Sequence, residues 1–292
     1  MKYRLLLLLA ALIWGVAFVA QLVSGQTMGP FAFNGTRYAL GTLSILPLVI
    51  WQRDTALRAK PPSWLNLPLA SFFLGLVLFG GTTFQQLGLL YTTAGKAGFI
   101  TALYIIAVPL MGLFLRQPLR ILHLVGLGLA MTGLYLLAYK SGEPLNFGDL
   151  LELCGVLFWG FSILGIARFV KYYPGLLLAF GELLVCALLN FVAMFFAGET
   201  LTVLMLEQTA VPILYAGIMS GGVAYTLQIV GQAHVPPTEA SLLLSMEMIF
   251  SALSGYVLLG ETMTVRELGG CAVMTCGIFA AQIPSRIIWQ KN

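Results

Sequence analysis

Charge is what this chain has least of. Of its 292 residues, 9% are Asp, Glu, Lys or Arg, against 59% hydrophobic. A soluble domain carries about 25% charged residues. There is too little polar surface here to coat a water-soluble globule of this length, and the mean hydropathy of +0.94 agrees. The solvent for much of the surface is therefore lipid. Histidine is nearly absent: His123 and His234 are the two, both near helix ends. The four cysteines, Cys154, Cys186, Cys271 and Cys276, lie in apolar segments without the short paired spacing of a zinc site. They read as small hydrophobic core residues, and no metal site is expected. The net charge of +4 is modest and carries no nucleic-acid signal. No Gly-x-Ser-x-Gly elbow, His-Glu-x-x-His pair, nucleophile with a base, or Asp pair at usable spacing is present. No Walker sequence exists either. These absences argue against an intramembrane enzyme and against ATP-driven pumping by this chain alone, and no cofactor is expected.

What is abundant is long apolar runs. A membrane helix needs about 20 mostly apolar residues. Ten runs qualify, at approximately 5–23, 30–51, 65–90, 96–115, 121–139, 149–167, 174–196, 211–232, 238–259 and 267–284. Breaks fall where Pro, Gly or charges cluster, as in "RDTALRAKPPS", "KSGEP", "VKYYPG" and "HVPPTE". The third run is long, and a tilt or kink is expected around Gly80-Gly81. The first run also fits a cleaved signal peptide, but it is longer than a typical apolar leader core. The fold class expected is an all-α polytopic membrane protein with ten transmembrane helices.

Orientation follows from Lys and Arg in short loops. An N-terminus in the cytoplasm puts Lys2, Arg4, Arg53, Arg58, Lys60, Arg116, Arg120, Arg168, Lys171, Arg286 and Lys291 inside. Lys96, Lys140 and Arg266 fall outside, and Arg37 lies within a span. The bias favours both termini in the cytoplasm.

The two halves echo each other at an offset of 143–145 residues. Trp14-Gly15 in "LIWGVAF" returns as Trp159-Gly160 in "LFWGFSI". Pro30 falls on Pro174, Gln85 and Gly88 on Gln228 and Gly231, and "KAGFITALY" at 96–104 on "EASLLLSME" at 239–247. Leucine runs match by chance; these words in register do so much less easily. The reading is a duplicated five-helix unit, residues 1–140 and 148–285, with 286–292 a cytoplasmic tail. Five is odd, so the second copy enters the membrane inverted. Inverted-topology repeats are the architecture of many secondary transporters.

This ordered set resembles the drug/metabolite transporter superfamily, specifically two tandem EamA-type domains. The resemblance is carried by "LIWGVAFVAQ", Arg37, "LGLLYTTAGKAGFITALYIIAVPLMG" and its partner "VPPTEASLLLSMEMIFSALSGYVLLGE" with "LGGCAVMTCGI". It covers nearly the whole chain. The family pattern often has Pro after the positions of Tyr104 and Glu247, where this chain has Ile105 and Met248. The resemblance implies a ten-helix transporter of the bacterial inner membrane. It also implies a central cavity, alternating access, and a small-molecule substrate of the amino-acid or related metabolite class. Some members handle drugs or nucleotide sugars.

Candidate site residues are the polar and aromatic ones inside spans. An ionisable group at the bilayer centre costs about 2.5–3.5 kcal/mol on insertion scales and faces a cavity or a partner. Arg37, Glu182 and Glu247 are such groups. Arg37 and Glu182 occupy equivalent positions of the two repeats, so Arg37 is expected to neutralise Glu182 or Glu247, for packing or for coupling. Glu247, matching Tyr104, is a candidate proton carrier. Gln85 and Gln228 sit on small-Gln-small stripes: Gly81, Gln85, Gly88 and Ala224, Gln228, Gly231. Each amide either glues helices together or bonds substrate. Gly80, Gly81, Gly221 and Gly222 interrupt corresponding spans, which points to hinges near a binding site. Trp14, Phe18, Phe84, Tyr91, Tyr104, Trp159 and Tyr225 either form an apolar stacking wall or simply pack, with Trp14 and Trp159 deepest in their spans. Gly217-x-x-x-Gly221 suits packing inside the bundle. Substrate binding is thus assigned to Trp14, Gln85, Tyr104, Trp159, Gln228 and Glu247. The function expected is a secondary transporter, most readily an exporter. A channel, a scaffold or an intramembrane enzyme is the alternative. Whether the chain is a monomer is left open.

Overall fold

The structure is a computed structural model that describes residues 1–51, 61–63, 65–91, 94–115, 119–138, 146–260, 264–281, 283 and 287–289. Arg53, Arg58, Lys60, Arg116, Lys140, Arg286 and Lys291, used above for orientation, lie outside the described residues, as does the proposed boundary between repeats at 141–145.

The first half contains α1 (Lys2–Gly25), α2 (Pro30–Trp51), α3 (Leu67–Gly88), α4 (Ala94–Ala102), α5 (Tyr104–Phe114) and α6 (Ile121–Ala138). The second contains α7 (Phe147–Phe169), α8 (Gly175–Ala197), α9 (Val203–Gln208) and α10 (Ala210–Leu214). A π-helical segment, Tyr215–Ala224, then leads into α11 (Tyr225–Gln232), α12 (Pro237–Leu244), α13 (Glu247–Leu259) and α14 (Val265–Ala281). A short antiparallel pairing of β1 (Leu119–Arg120) with β2 (Ile287–Trp289) brings the C-terminal end beside the start of α6.

Local chemistry fixes several helix ends. Asn66 caps α3, its side chain accepting from the Leu69 N–H at 2.8 Å. Asn146 and Asp149 form a reciprocal capping box on α7, at 3.0 and 2.8 Å. α8 and α13 end on Gly198 and Gly260, at φ 69° and 68°, where only glycine is unstrained.

Six helical stretches are each long and apolar enough to cross a bilayer: α1, α3, α7, α8, Ala210–Gln232 and Pro237–Leu258. Ile100–Phe114 and Ile121–Leu136 are shorter apolar helices. α2, which carries Asn34, Arg37 and Pro47, and the 17-residue α14 complete a bundle of about ten spans. Burial is inverted relative to a soluble protein. Phe195, Phe196 and Val257 face outward at 76%, 81% and 72% exposure, whereas Asn34, Glu182 and Asn190 are fully enclosed. Only a lipid exterior makes that distribution favourable. The cysteines follow it in part. Cys186 is buried, but Cys154 and Cys276 are exposed, which corrects the expectation of four core thiols. An apolar exterior accommodates a thiol as readily as an apolar core does.

Helix pairing follows the sequence echo. α6 lies along α14 and α2 along α8. α3 lies on α7, as α1 does on α11 and the π-helical segment. α1 packs on α13, and α7 on α4 and α5. Each of these pairings becomes itself or another of them when the first five spans are exchanged with the last five.

Two details differ from expectation. α3 runs as one α-helix through Gly80-Gly81, without the change of helix type found in the eighth span. These glycines serve close approach instead: a Cβ at Gly81 would meet the Trp159 indole at 3.3 Å, and Gly80 lies against the Phe158 ring. The interruption occurs in the corresponding eighth span, as the π-helical segment holding Gly221 and Gly222. Conversely, the fourth and ninth spans break between Ala102 and Tyr104 and between Leu244 and Glu247, although neither carries Pro at Ile105 or Met248. Tight turns cover both breaks, with the Ile106 N–H bonded to Leu103 O and the Met248 N–H to Ser245 O.

Candidate functional site

A small cavity lies between the two halves, with about 50 Å³ open to the centre of a water-sized sphere. α1 contributes Trp14, Phe18 and Gln21, α2 contributes Arg37, and α3 contributes Gln85. Thr101 and Tyr104 flank the break between α4 and α5; Leu244 and Glu247 flank the break between α12 and α13. α7 adds Trp159 and Ile163, and the eighth span adds Ser220, Tyr225 and Gln228. All six residues assigned to substrate from the sequence border this one space, and Arg37 joins them.

The Trp-Gly word works the same way in both halves. Trp14 and Trp159 face the cavity, while the adjacent glycines seat a helix of the opposite half. A Cβ at Gly15 would come within 2.8 Å of the Phe250 and Ser251 backbone of α13, and one at Gly160 within 2.8 Å of Met111 Sδ on α5. The Trp14 indole N–H donates to Ser220 O at 3.3 Å, and its ring meets Tyr225 edge-on at 4.9 Å. Tyr225 Oη lies 3.3 Å from Tyr38 Oη, which accepts from Arg37 Nη2 at 2.8 Å. One polar chain thus ties α2, α11 and α1 around one side of the cavity. Opposite halves meet again where Tyr104 Oη donates to Glu247 at 3.0 Å.

Other expectations are corrected. Arg37 forms no ion pair with Glu182 or Glu247; among the described residues the ion pair present is Arg4–Glu239. The guanidinium instead lies over the rings of Tyr38 and Phe33, at 4.6 and 5.1 Å, and Glu182 is fully enclosed with both carboxylate oxygens unpartnered. Equivalent positions in two repeats give equivalent depth, not contact. Glu182 and the four glycines Gly80, Gly81, Gly221 and Gly222 are outside the cavity lining. Gly217 and Gly221 pack on the α2 backbone near Arg37 O, as the intramolecular reading expects. Phe84 and Tyr91 pair with Phe158 and Phe147 rather than lining the cavity.

Sequence reasoning passed over Gln21, Thr101, Ile163, Ser220 and Leu244. The repeat itself held part of the signal, since Ile163 is the counterpart of Phe18 and Leu244 of Thr101. It also passed over Glu152, buried inside α7, which accepts from Thr101 Oγ1 at 2.9 Å. No cluster of three His, Cys, Asp or Glu positioned for a metal occurs among the described residues.

A lipid-facing helical bundle enclosing a polar and aromatic cavity between its halves defines a polytopic membrane transporter. The EamA-like transporter family matches residues 1–139 and 146–281, and the chain belongs to that family. It is 30% identical to an uncharacterized transporter of Archaeoglobus fulgidus, over 95% of this chain and 84% of that protein. It is 27% identical to the threonine/homoserine exporter RhtA of Escherichia coli K12, over 99% of this chain and 92% of that one. A solved crystal structure, 19% identical, shares the fold at a TM-score of 0.80 over 97% of this chain and 96% of the other. The relatives from Archaeoglobus fulgidus and Escherichia coli are transporters.

Proposed function

We propose that the protein is a secondary transporter that exports small organic metabolites, amino acids or close relatives, by alternating access around the cavity. Residues 1–140 and 148–285 act as two repeats of opposite topology, in a bacterial inner membrane, with both termini cytoplasmic. Trp14, Gln85, Tyr104, Trp159, Gln228 and Glu247 form the substrate site, and Gly221-Gly222 in the π-helical segment supply a hinge. The observation that carries this reading is the composition of the cavity wall. Matched residues of both halves border one space, so a rocking of one half against the other changes the side from which it is reached. The similarity to the threonine/homoserine exporter RhtA supports the substrate class.

The test is counterflow in liposomes carrying the purified protein. Saturable exchange of labelled threonine or homoserine, or of another amino acid from a panel, is the expected result. Ion current that does not saturate, without exchange, would make the protein a channel.

A further inference from the structure

We infer that Arg37 is the anchor for a substrate carboxylate, an inference that rests on the transporter reading above and deepens it. Arg37 is 4% exposed and borders the cavity. Its Nη2 donates to Tyr38 Oη, a neutral acceptor that is shared with Tyr225. Its plane lies over two aromatic faces, which solvate a cation without cancelling its charge. Nε has no hydrogen-bond partner, and no described carboxylate forms an ion pair with it. A buried guanidinium left this way is unfavourable unless something completes it. A planar oxyanion entering the cavity does so, because the guanidinium fork matches a carboxylate with two parallel N–H donors.

The rest of the wall selects among anions. Among the described residues Arg37 is the one basic residue of the lining, and Glu247 its one acid. A doubly charged phosphate ester would meet a single cation and a carboxylate. A monoanionic carboxylate meets one matched charge. Gln21 and Gln228 also border the cavity, and Oε1 of each is buried without a hydrogen-bond partner. Two unpaired acceptors call for N–H or O–H donors on the same ligand. The chemical class is therefore a small organic monocarboxylate bearing amino or hydroxyl groups, its carboxylate on Arg37.

The experiment compares acids with their carboxamides. Purified full-length protein is screened by thermal shift with homoserine, each proteinogenic amino acid, and the corresponding carboxamides. The best acid is then tested for counterflow in liposomes. At least one acid is expected to stabilise the wild type, with its carboxamide at least tenfold weaker. Arg37→Gln should lose that discrimination, and Arg37→Lys should keep part of it. Equal effects of acid and carboxamide on the wild type overturn the inference without any variant having to fold. So does stabilisation by none of the acids, or discrimination retained in Arg37→Gln. Acid-selective binding without counterflow of any compound leaves Arg37 in place and removes the transport reading. Counterflow that treats acid and carboxamide alike removes Arg37 and leaves transport.

Discussion

Tyr104 and Glu247, 143 residues apart, share a hydrogen bond of 3.0 Å, and each is the first residue of the second half of a broken span. One is a phenol and the other a carboxylic acid at matched positions of two halves. The substitution of acid for phenol makes the cavity chemically asymmetric although its frame is symmetric.

Glu247 borders the cavity, and among the described residues no cation forms an ion pair with it, which makes it the candidate proton carrier. A pH gradient should stimulate transport by the wild type, and Glu247→Gln should abolish that stimulation while saturable counterflow at symmetric pH persists with weakened substrate binding. Vesicle uptake with and without an imposed gradient measures this. A variant that retains its full gradient dependence removes Glu247 from proton coupling. Tyr104→Phe, which deletes the one bond, should destabilise the protein by about 1–3 kcal/mol.

Close helix approach gives a prediction with opposite signs at two nearby glycines. A Cβ at Gly133 of α6 would lie 2.7 Å from Met274 Cα in α14, whereas at Gly128 nothing lies within 4 Å. Gly133→Ala should lower stability by about 1–3 kcal/mol through overpacking against backbone. Gly128→Ala should raise it by up to about 1 kcal/mol through helix propensity. Thermal unfolding in detergent distinguishes the two, and equal effects would contradict the α6–α14 contact.

The sequence made the spans and most of the cavity wall legible, because each rests on a local pattern or on a fixed offset between the halves. Trp14 and Trp159, or Gln85 and Gln228, are found by aligning one half on the other. What that alignment cannot reveal is rotation of a side chain about its helix. Arg37 and Glu182 are in register, yet Arg37 faces the cavity and Glu182 is sealed elsewhere. Nor does a repeat say which copy of a glycine pair interrupts its helix. Gly80-Gly81 is spent on packing against Phe158 and Trp159, while Gly221-Gly222 falls in the π-helical segment. The breaks at Leu103 and Ser245–Met246 form without proline, so no residue type marks them.

Glu182 tests the corrected pairing. Removing one partner of a buried ion pair typically costs about 3–5 kcal/mol. With no cation on Glu182, Glu182→Gln should leave stability unchanged or raise it. The double swap Arg37→Glu with Glu182→Arg should recover nothing relative to Arg37→Glu alone. Unfolding midpoints of the four proteins settle the matter, and a loss of about 3 kcal/mol or more in Glu182→Gln would show that a partner exists.

Two contacts at the N-terminal end of α1 can be tested for a role in closing the cavity. Arg4 forms an ion pair with Glu239 in the first turn of α12, and the Tyr3 ring stacks on His234 at 3.6 Å and 2°. The first contact joins α1 to the start of the ninth span, and the second joins it to the turn between the eighth and ninth spans. Arg4 precedes Trp14 by ten residues, about 15 Å along a helix, so the contacts lie between the cavity and the surface near the N-terminus. The repeat offset places Asp149 at the position of Arg4 and Lys96 at that of Glu239, with both charges reversed. Glu239 is largely enclosed while Arg4 is partly exposed, so the pair should exceed little of the 0–1 kcal/mol typical at surfaces, about a factor of five in an opening equilibrium. In a background with the four native cysteines replaced by alanine, Phe18→Cys places a thiol in the cavity wall. Arg4→Ala should speed its reaction with a membrane-impermeant maleimide added on the N-terminal side by about that factor. The reversed pair Arg4→Glu with Glu239→Arg should return the rate to its starting value. Labelling that is indifferent to all three changes would mean that Arg4 and Glu239 close nothing.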